Sequence, residues 1–167
     1  MADALFISIS ELVSNTALSG NIDPNKLLPA LKTVQQIEVE EILGTDLYNA
    51  LSAYILAGNV PEPYLNLKLK YIHPFMIHAA VSYYIPYSSY IITNGGTSKY
   101  SGDDNHEGLS INEVSYLANK ELSLAETYKK RLIDHLCFNT SLYPEYVTNT
   151  NEDINPTKTT NRTNWYL

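Results

Sequence analysis

Four histidines, one cysteine and a few clustered carboxylates are the side chains with which this chain could do chemistry. His73 and His78 stand five residues apart, which on a helix turns them about 140° from each other, so they do not share a face as a ligand pair must. No HExxH, CxxC or two-His-one-carboxylate spacing occurs. His106 lies beside Asp103, Asp104 and Glu107, yet DDNHE does not match the DxDxDG calcium loop and reads as a solvated acidic loop. Phosphate-cradling GxxxxGK(S/T) and GxGxxG loops are absent, as is the GxSxG nucleophile elbow. Glu38, Glu40 and Glu41 crowd together, and Glu38 with Glu41 reads as a solvated helix face. Cys137 is the single cysteine, so no internal disulfide forms, and its place near the end of an apolar helical stripe reads as a small core residue. A ligand pocket built on His73, His78 and nearby tyrosines would need convergent polar groups, and tyrosines bonded within a helical bundle account for the same residues. The expectation is a protein with no catalytic residue, no metal and no cofactor.

A length of 167 residues suits one domain, and 44% hydrophobic content supplies its core. Eleven Lys+Arg against eighteen Asp+Glu give −7, which excludes the basic footprint of a sequence-independent nucleic-acid binder. The start, MADALFI, lacks the basic region and long apolar run of a secretory signal, and the expectation is synthesis in a reducing cytoplasm. From Tyr71 to Ser98 there is no charged residue. The run has bilayer length but contains Pro74, Pro86, two histidines and five tyrosines, which points to a buried core helix, its tyrosine hydroxyls bonded internally, instead of a membrane span.

The elements that position these residues are mostly helical. Ser8 or Ser10 caps a first helix with Glu11 in its first turn. Asp23-Pro24 opens a second, unless Pro29 delays it to Leu28, and Gly44 ends it. Thr45 caps a third, which ends at Gly58. A fourth starts near Tyr64, is interrupted or kinked at Pro74, and ends at Pro86. Ile91 to Thr93 and Ser98 to Ser101 form a small projecting hairpin around the Asn94-Gly95-Gly96-Thr97 turn, with a polar loop to Gly108. Ser110 and Glu113 make a capping box for the clearest helix, whose stripe runs through Val114, Leu117, Ala118, Leu122, Ala125, Tyr128, Leu132 and Leu136 to an end near Asn139. From Thr148 to Asn164, 11 of 17 residues are Asn or Thr, a composition that does not order itself. It finishes in Trp165-Tyr166-Leu167, an apolar tip suited to docking on a neighbour. The fold expected is mainly α: a helical bundle of about five helices over 1–146, a hairpin and loop at about 91–108, and an extended tail over 147–167.

The order of segments carries a resemblance. IEVEEILGTDLYNAL (Ile37 to Leu51) is followed by YIHPFMIHAAVSYYIP (Tyr71 to Pro86), the turn Asn94 to Gly96, and AETYKKRLIDHLCFNTSLYPEY (Ala125 to Tyr146). This arrangement, from Ser8 to Tyr146, resembles the small head–tail connector (adaptor) proteins of tailed phages, most of all those of crAss-like and other Bacteroidales-infecting phages. The resemblance implies a structural virion protein, assembled in the bacterial host cytoplasm and resident in the neck. It implies a homo-oligomeric ring of twelve copies beneath the portal protein that continues the DNA channel and docks other neck and tail proteins. DNA would pass without specific binding. In such a ring twelve copies at −7 each carry −84, a field that repels the DNA backbone. The tail tip, Trp165, Tyr166 and Leu167, would bind the portal or an adjacent subunit. The loop holding Asn94, Gly95, Gly96, Lys99 and Tyr100 would face the channel or the next ring. The alternatives are another neck protein, such as a stopper or tail-completion protein, and a small cytoplasmic helical enzyme or ligand-binding protein.

Overall fold

The computed structural model describes residues 4–18, 22–93, 96–99, 109–150 and 153–158. The chain is mainly helical, as expected, with one two-stranded ribbon among the described residues. Helix α1 (Ile9–Ser14) begins at a capping box in which the Ser8 hydroxyl accepts from the Glu11 amide and the Glu11 carboxylate accepts from the Ser8 amide. Helix α2 (Pro24–Thr33) begins at Asp23, whose carboxylate accepts from the Asn25 amide at 2.9 Å. Pro29 does not delay it. Pro29 and Asn25 are both exposed, so the carbonyl left without an N–H partner faces water.

Beyond α2 the helix widens into a π-helical stretch, Val34–Val39, and finishes as α3 (Glu40–Leu43). Gly44 then turns the chain with φ 76°, a left-handed value that glycine adopts without a Cβ clash. Helix α4 (Thr45–Leu56) follows and ends at Gly58, φ 69°. Helix α5 (Tyr64–Leu67), a second π turn (Lys68–Ile72) and helix α6 (His73–Ser88) run on continuously. Pro74 is the reason for the second π turn. Its ring lacks an N–H and would press on a carbonyl one turn back, and a widened turn relieves both defects. Pro86 does not end α6 as expected. It is exposed, and the helix closes two residues later, where the Ser88 and Ser89 hydroxyls each donate at 2.7 Å to the carbonyls of Ile85 and Pro86.

Strands β1 (Tyr90–Thr93) and β2 (Gly96–Lys99) pair antiparallel, Tyr90 opposite Lys99 and Thr93 opposite Gly96. The return strand starts at Gly96, two residues before the expected Ser98. Asn94, Gly95 and Tyr100, together with 101–108, lie outside the described residues. Helix α7 (Ile111–Phe138) has the expected Ser110/Glu113 capping box and ends at Asn139. A 3-10 turn (Thr140–Leu142) and helix α8 (Pro144–Thr148) complete the body.

Helices α6 and α7 pack side by side and antiparallel: Tyr71 meets His135, His78 meets Glu121, and Pro86 lies near Ile111. The core collects Phe6, Leu27, Leu31, Leu47, Phe75, Met76, Leu132 and Leu136, all nearly without exposure. Half of the residues of α6 are buried, which is why its sequence shows no one-sided periodicity. No helix among the described residues is long and apolar enough to cross a membrane. The body does not stop at Tyr146. Residues 149–150 and 153–158 remain attached to it, so the boundary expected at 146 moves at least to Lys158.

Candidate functional site

Most of the chemistry-bearing side chains are engaged in holding the fold. Gln35, brought inward by the first π turn and buried, clamps the N-terminal segment. Its Oε1 accepts from the Phe6 amide at 2.9 Å, and its Nε2 donates to the Ala4 carbonyl at 2.6 Å and to the Tyr48 hydroxyl at 3.1 Å. His73 donates from Nε2 to the Phe6 carbonyl at 2.8 Å, and burial holds its pKa below the usual histidine value. His78 does not converge with it. Its Nδ1 lies 2.7 Å from Glu121 Oε2 on α7, and its ring stacks on Tyr128.

A second polar relay closes the other end of the bundle. The Asn139 amide donates to His135 Nδ1 at 3.1 Å, which leaves His135 Nε2–H to donate to the Tyr143 hydroxyl at 3.1 Å. Tyr143 in turn donates to the Pro63 carbonyl at 3.4 Å, and burial pushes its pKa up to about 12. The Tyr64 hydroxyl donates to Glu145 at 2.8 Å, and burial and that carboxylate raise its pKa. Tyr146 donates to the Thr157 carbonyl at 2.8 Å, so the half-buried Cys137 thiol is the donor in its 3.6 Å contact with Tyr146. The tyrosines bonded within the body thus include Tyr48, Tyr64, Tyr143 and Tyr146. Tyr83 and Tyr87 of the uncharged run are exposed, contrary to the expectation for that helix. Glu38 also departs from the solvated face expected of it: its side chain is 15% exposed and lies 3.7 Å from Lys129.

The C-terminal segment is seated on the corner between α3 and α4. The Thr45 amide donates to the Ile154 carbonyl at 3.1 Å, and the Ile154 amide donates to the Thr45 hydroxyl at 2.9 Å. Thr45 therefore spends its hydroxyl on this segment and does not cap α4. The Thr157 amide and hydroxyl both donate to the Glu41 carbonyl at 3.0 Å, and the Thr150 amide donates to Asp46 at 2.6 Å. These bonds satisfy orphan amides and carbonyls at the two helix ends. Beside them burial and Asp153 raise the pKa of Glu40. Trp165, Tyr166 and Leu167 lie outside the described residues.

Among the described residues, α7 carries more exposed large apolar side chains than any other element. The expected stripe is buried at Val114, Ala125, Leu132 and Leu136, but Leu117 and Leu122 are about two fifths exposed, and Ile111 and Tyr116 about two thirds. A depression of about 400 Å³ lined by Leu109, Asn112, Glu113, Tyr116 and Leu117 opens beside the hairpin end of this helix. Among the described residues no three His, Cys, Asp or Glu side chains gather in a metal-binding group. Gly96 and Lys99, the described part of the expected projecting loop, form the first and last residues of β2.

A family model described as "Family of unknown function (DUF6712)" matches residues 39–156, more than two thirds of the chain. No curated protein and no solved structure matches.

Proposed function

We propose that this chain, which belongs to the DUF6712 family of unknown function, is a structural head–tail connector of a tailed-phage particle. In this reading copies of it form a ring, of twelve, between the portal protein and the tail. The ring continues the DNA channel, docks later neck and tail proteins, and lets DNA pass without specific binding. The observation that carries the reading is the apolar surface left open on α7 of an otherwise well-satisfied helical body. Single exposed apolar residues are ordinary, but a half-helix with several of them marks a protein-binding face. The dominance of helix favours an adaptor over the strand-rich stopper and tail-completion proteins. The polar side chains that a small enzyme or ligand-binding protein would gather in a pocket are here dispersed among separate structural bonds. The segment order from Ile37 to Tyr146, which resembles the adaptors of crAss-like phages, supplies the class.

Electron microscopy of the purified chain, alone and mixed with the portal protein of the same phage, tests the proposal. The expected result is a ring that stacks coaxially on the portal. Absence of any ring together with absence of portal binding overturns it.

A further inference from the structure

We infer that α7 carries two different contact surfaces for a second copy of this chain, one on each flank, and that these meet each other head to tail. The inference rests on the ring-forming reading and names the surfaces that would close the ring.

At about 100° per residue, Leu117 and Leu124, seven apart, share one line along the helix, and Ile111 and Leu122, eleven apart, share another. The two lines stand about 140° apart, with the buried stripe of Val114, Ala125 and Leu132 between them. Each flank continues past these pairs. On the first flank, that of Ile111 and Leu122, Lys129 lies one heptad beyond Leu122 and pairs with Glu38 across the seam. On α6, Tyr83 is 37% exposed and Tyr87, one turn further, 69%. The exposed Ile37 is the neighbour of Glu38. On the second flank, Leu117 and Tyr116 border the 400 Å³ depression, and Phe138, 76% exposed, sits two heptads beyond Leu124.

The areas fit a contact between copies. A fully exposed Tyr, Phe, Leu or Ile side chain offers about 150–200 Å², so each flank leaves roughly 400–500 Å² of largely apolar surface open. Two flanks meeting would bring together about 900 Å². That is the apolar share, about 56–58%, of a standard interface of about 1,600 Å². An isologous dimer would use one flank twice and leave the other bare. Joining unlike flanks covers both, and a repeated heterologous contact closes into a ring when its rotation allows.

The test uses the full chain and two exposed-site double variants, Tyr87→Lys with Leu122→Lys on the first flank and Leu117→Lys with Leu124→Lys on the second. Circular dichroism and thermal melting establish that each folds. Native mass spectrometry reads assembly alone, and electron microscopy reads it on the portal protein. Wild type is expected to form a closed ring, and each variant alone to lose self-association by about 100-fold or more. A one-to-one mixture of the variants is expected to stop at a dimer, because each retains one intact flank. A ring from either variant overturns the flank assignment and leaves the connector reading standing. Monomers in the mixture overturn the head-to-tail pairing. Wild type that forms no ring, alone or on the portal, overturns self-assembly itself and the flanks with it.

Discussion

Replacing Gly44 by alanine tests whether the C-terminal segment is part of the folded body. Gly44 has φ 76° and ψ 157°, a region nearly closed to residues with a Cβ, and placing one there costs about 1–3 kcal/mol. The added Cβ would also stand 2.7 Å from Pro156 Cδ and 3.0 Å from Pro156 N and Asn149 Oδ1. Two of these neighbours belong to a ring and its backbone, so relief requires lifting the segment off the corner. Hydrogen bonds resist that, among them Thr45 N–H to Ile154 O, Ile154 N–H to Thr45 Oγ1, Thr157 N–H and O–H to Glu41 O, and Tyr146 O–H to Thr157 O. At about 0.5–1.5 kcal/mol each, their partial loss adds roughly 2 kcal/mol to the backbone cost. Gly44→Ala is therefore expected to destabilise by about 3–5 kcal/mol, a fall of about 6–20 °C in melting temperature for a chain of this size.

The two contributions separate in a double-mutant cycle. Pro156→Ala removes the Cδ that makes the closest approach but leaves the Gly44 backbone as it is. Gly44→Ala should cost about 1 kcal/mol less in the Pro156→Ala background than in wild type. Urea denaturation followed by circular dichroism gives the free energies. Hydrogen exchange at the Thr45 and Asp46 amides reports whether the corner has opened. A cost below about 1 kcal/mol, or one equal in the two backgrounds, would refute the claim that the segment is packed on Gly44.

Gln35→Ala removes a buried side chain that makes three hydrogen bonds and should cost about 2–4 kcal/mol in urea denaturation, with early exchange of the Phe6 amide. Ser110→Ala breaks the capping box of α7 and should cost about 1 kcal/mol, measured the same way. Burial lowers the folded-state pKa of both His73 and His135, so unfolding takes up protons below the unfolded value of about 6.5. Their contribution to stability is complete above that pH and is lost as pH falls through the window beneath it. Melting curves from pH 7.5 to 5.5 should show this loss, and His73→Gln, which retains a donor for the Phe6 carbonyl, should flatten it. An equally steep loss in His73→Gln assigns the dependence elsewhere.

Helix starts were legible because each is written in a few adjacent residues: Ser8 with Glu11, Asp23 with Pro24, Ser110 with Glu113. Gly44 and Gly58 were equally legible as ends. Pro29 lies on an exposed face, where water serves the carbonyl it frees at Asn25, and Pro86 falls two residues before the last residue of α6; neither circumstance is written in a local pattern. The π turns were invisible for a similar reason, since one extra residue in a turn leaves the residue types unchanged while moving Gln35 inward and Glu38 into the seam. Composition alone does not show how the Asn/Thr-rich segment is held. Too polar to bury apolar area, residues 149–150 and 153–158 are held instead by hydrogen bonds to helix ends more than a hundred residues earlier in sequence. The amphipathic stripe of α7 was legible as a stripe, but which of its leucines meet the body depends on where α6 stops.

Charge placement turns the conduit reading into a demanding prediction. Lys129, Lys130 and Arg131 lie together on α7, near the end where the turn carrying Lys68 and Lys70 packs against that helix. Lys129 is held by Glu38, whereas Lys130 and Arg131 are exposed. A channel lined with the exposed pair from every subunit would bind DNA strongly despite a net charge of −7 per chain, because local phosphate contacts outweigh distant repulsion at moderate salt. Free passage therefore requires that this end of α7 be kept out of the lumen, and covered by a neighbouring copy if the assembly is to hold no DNA at all. The assembled chain should retain no duplex DNA in a mobility-shift assay at moderate salt. Binding whose log affinity falls with log salt at a slope of about −0.9 per phosphate contact, and which Lys130→Ala with Arg131→Ala abolishes, would place the basic segment in the channel and refute free passage.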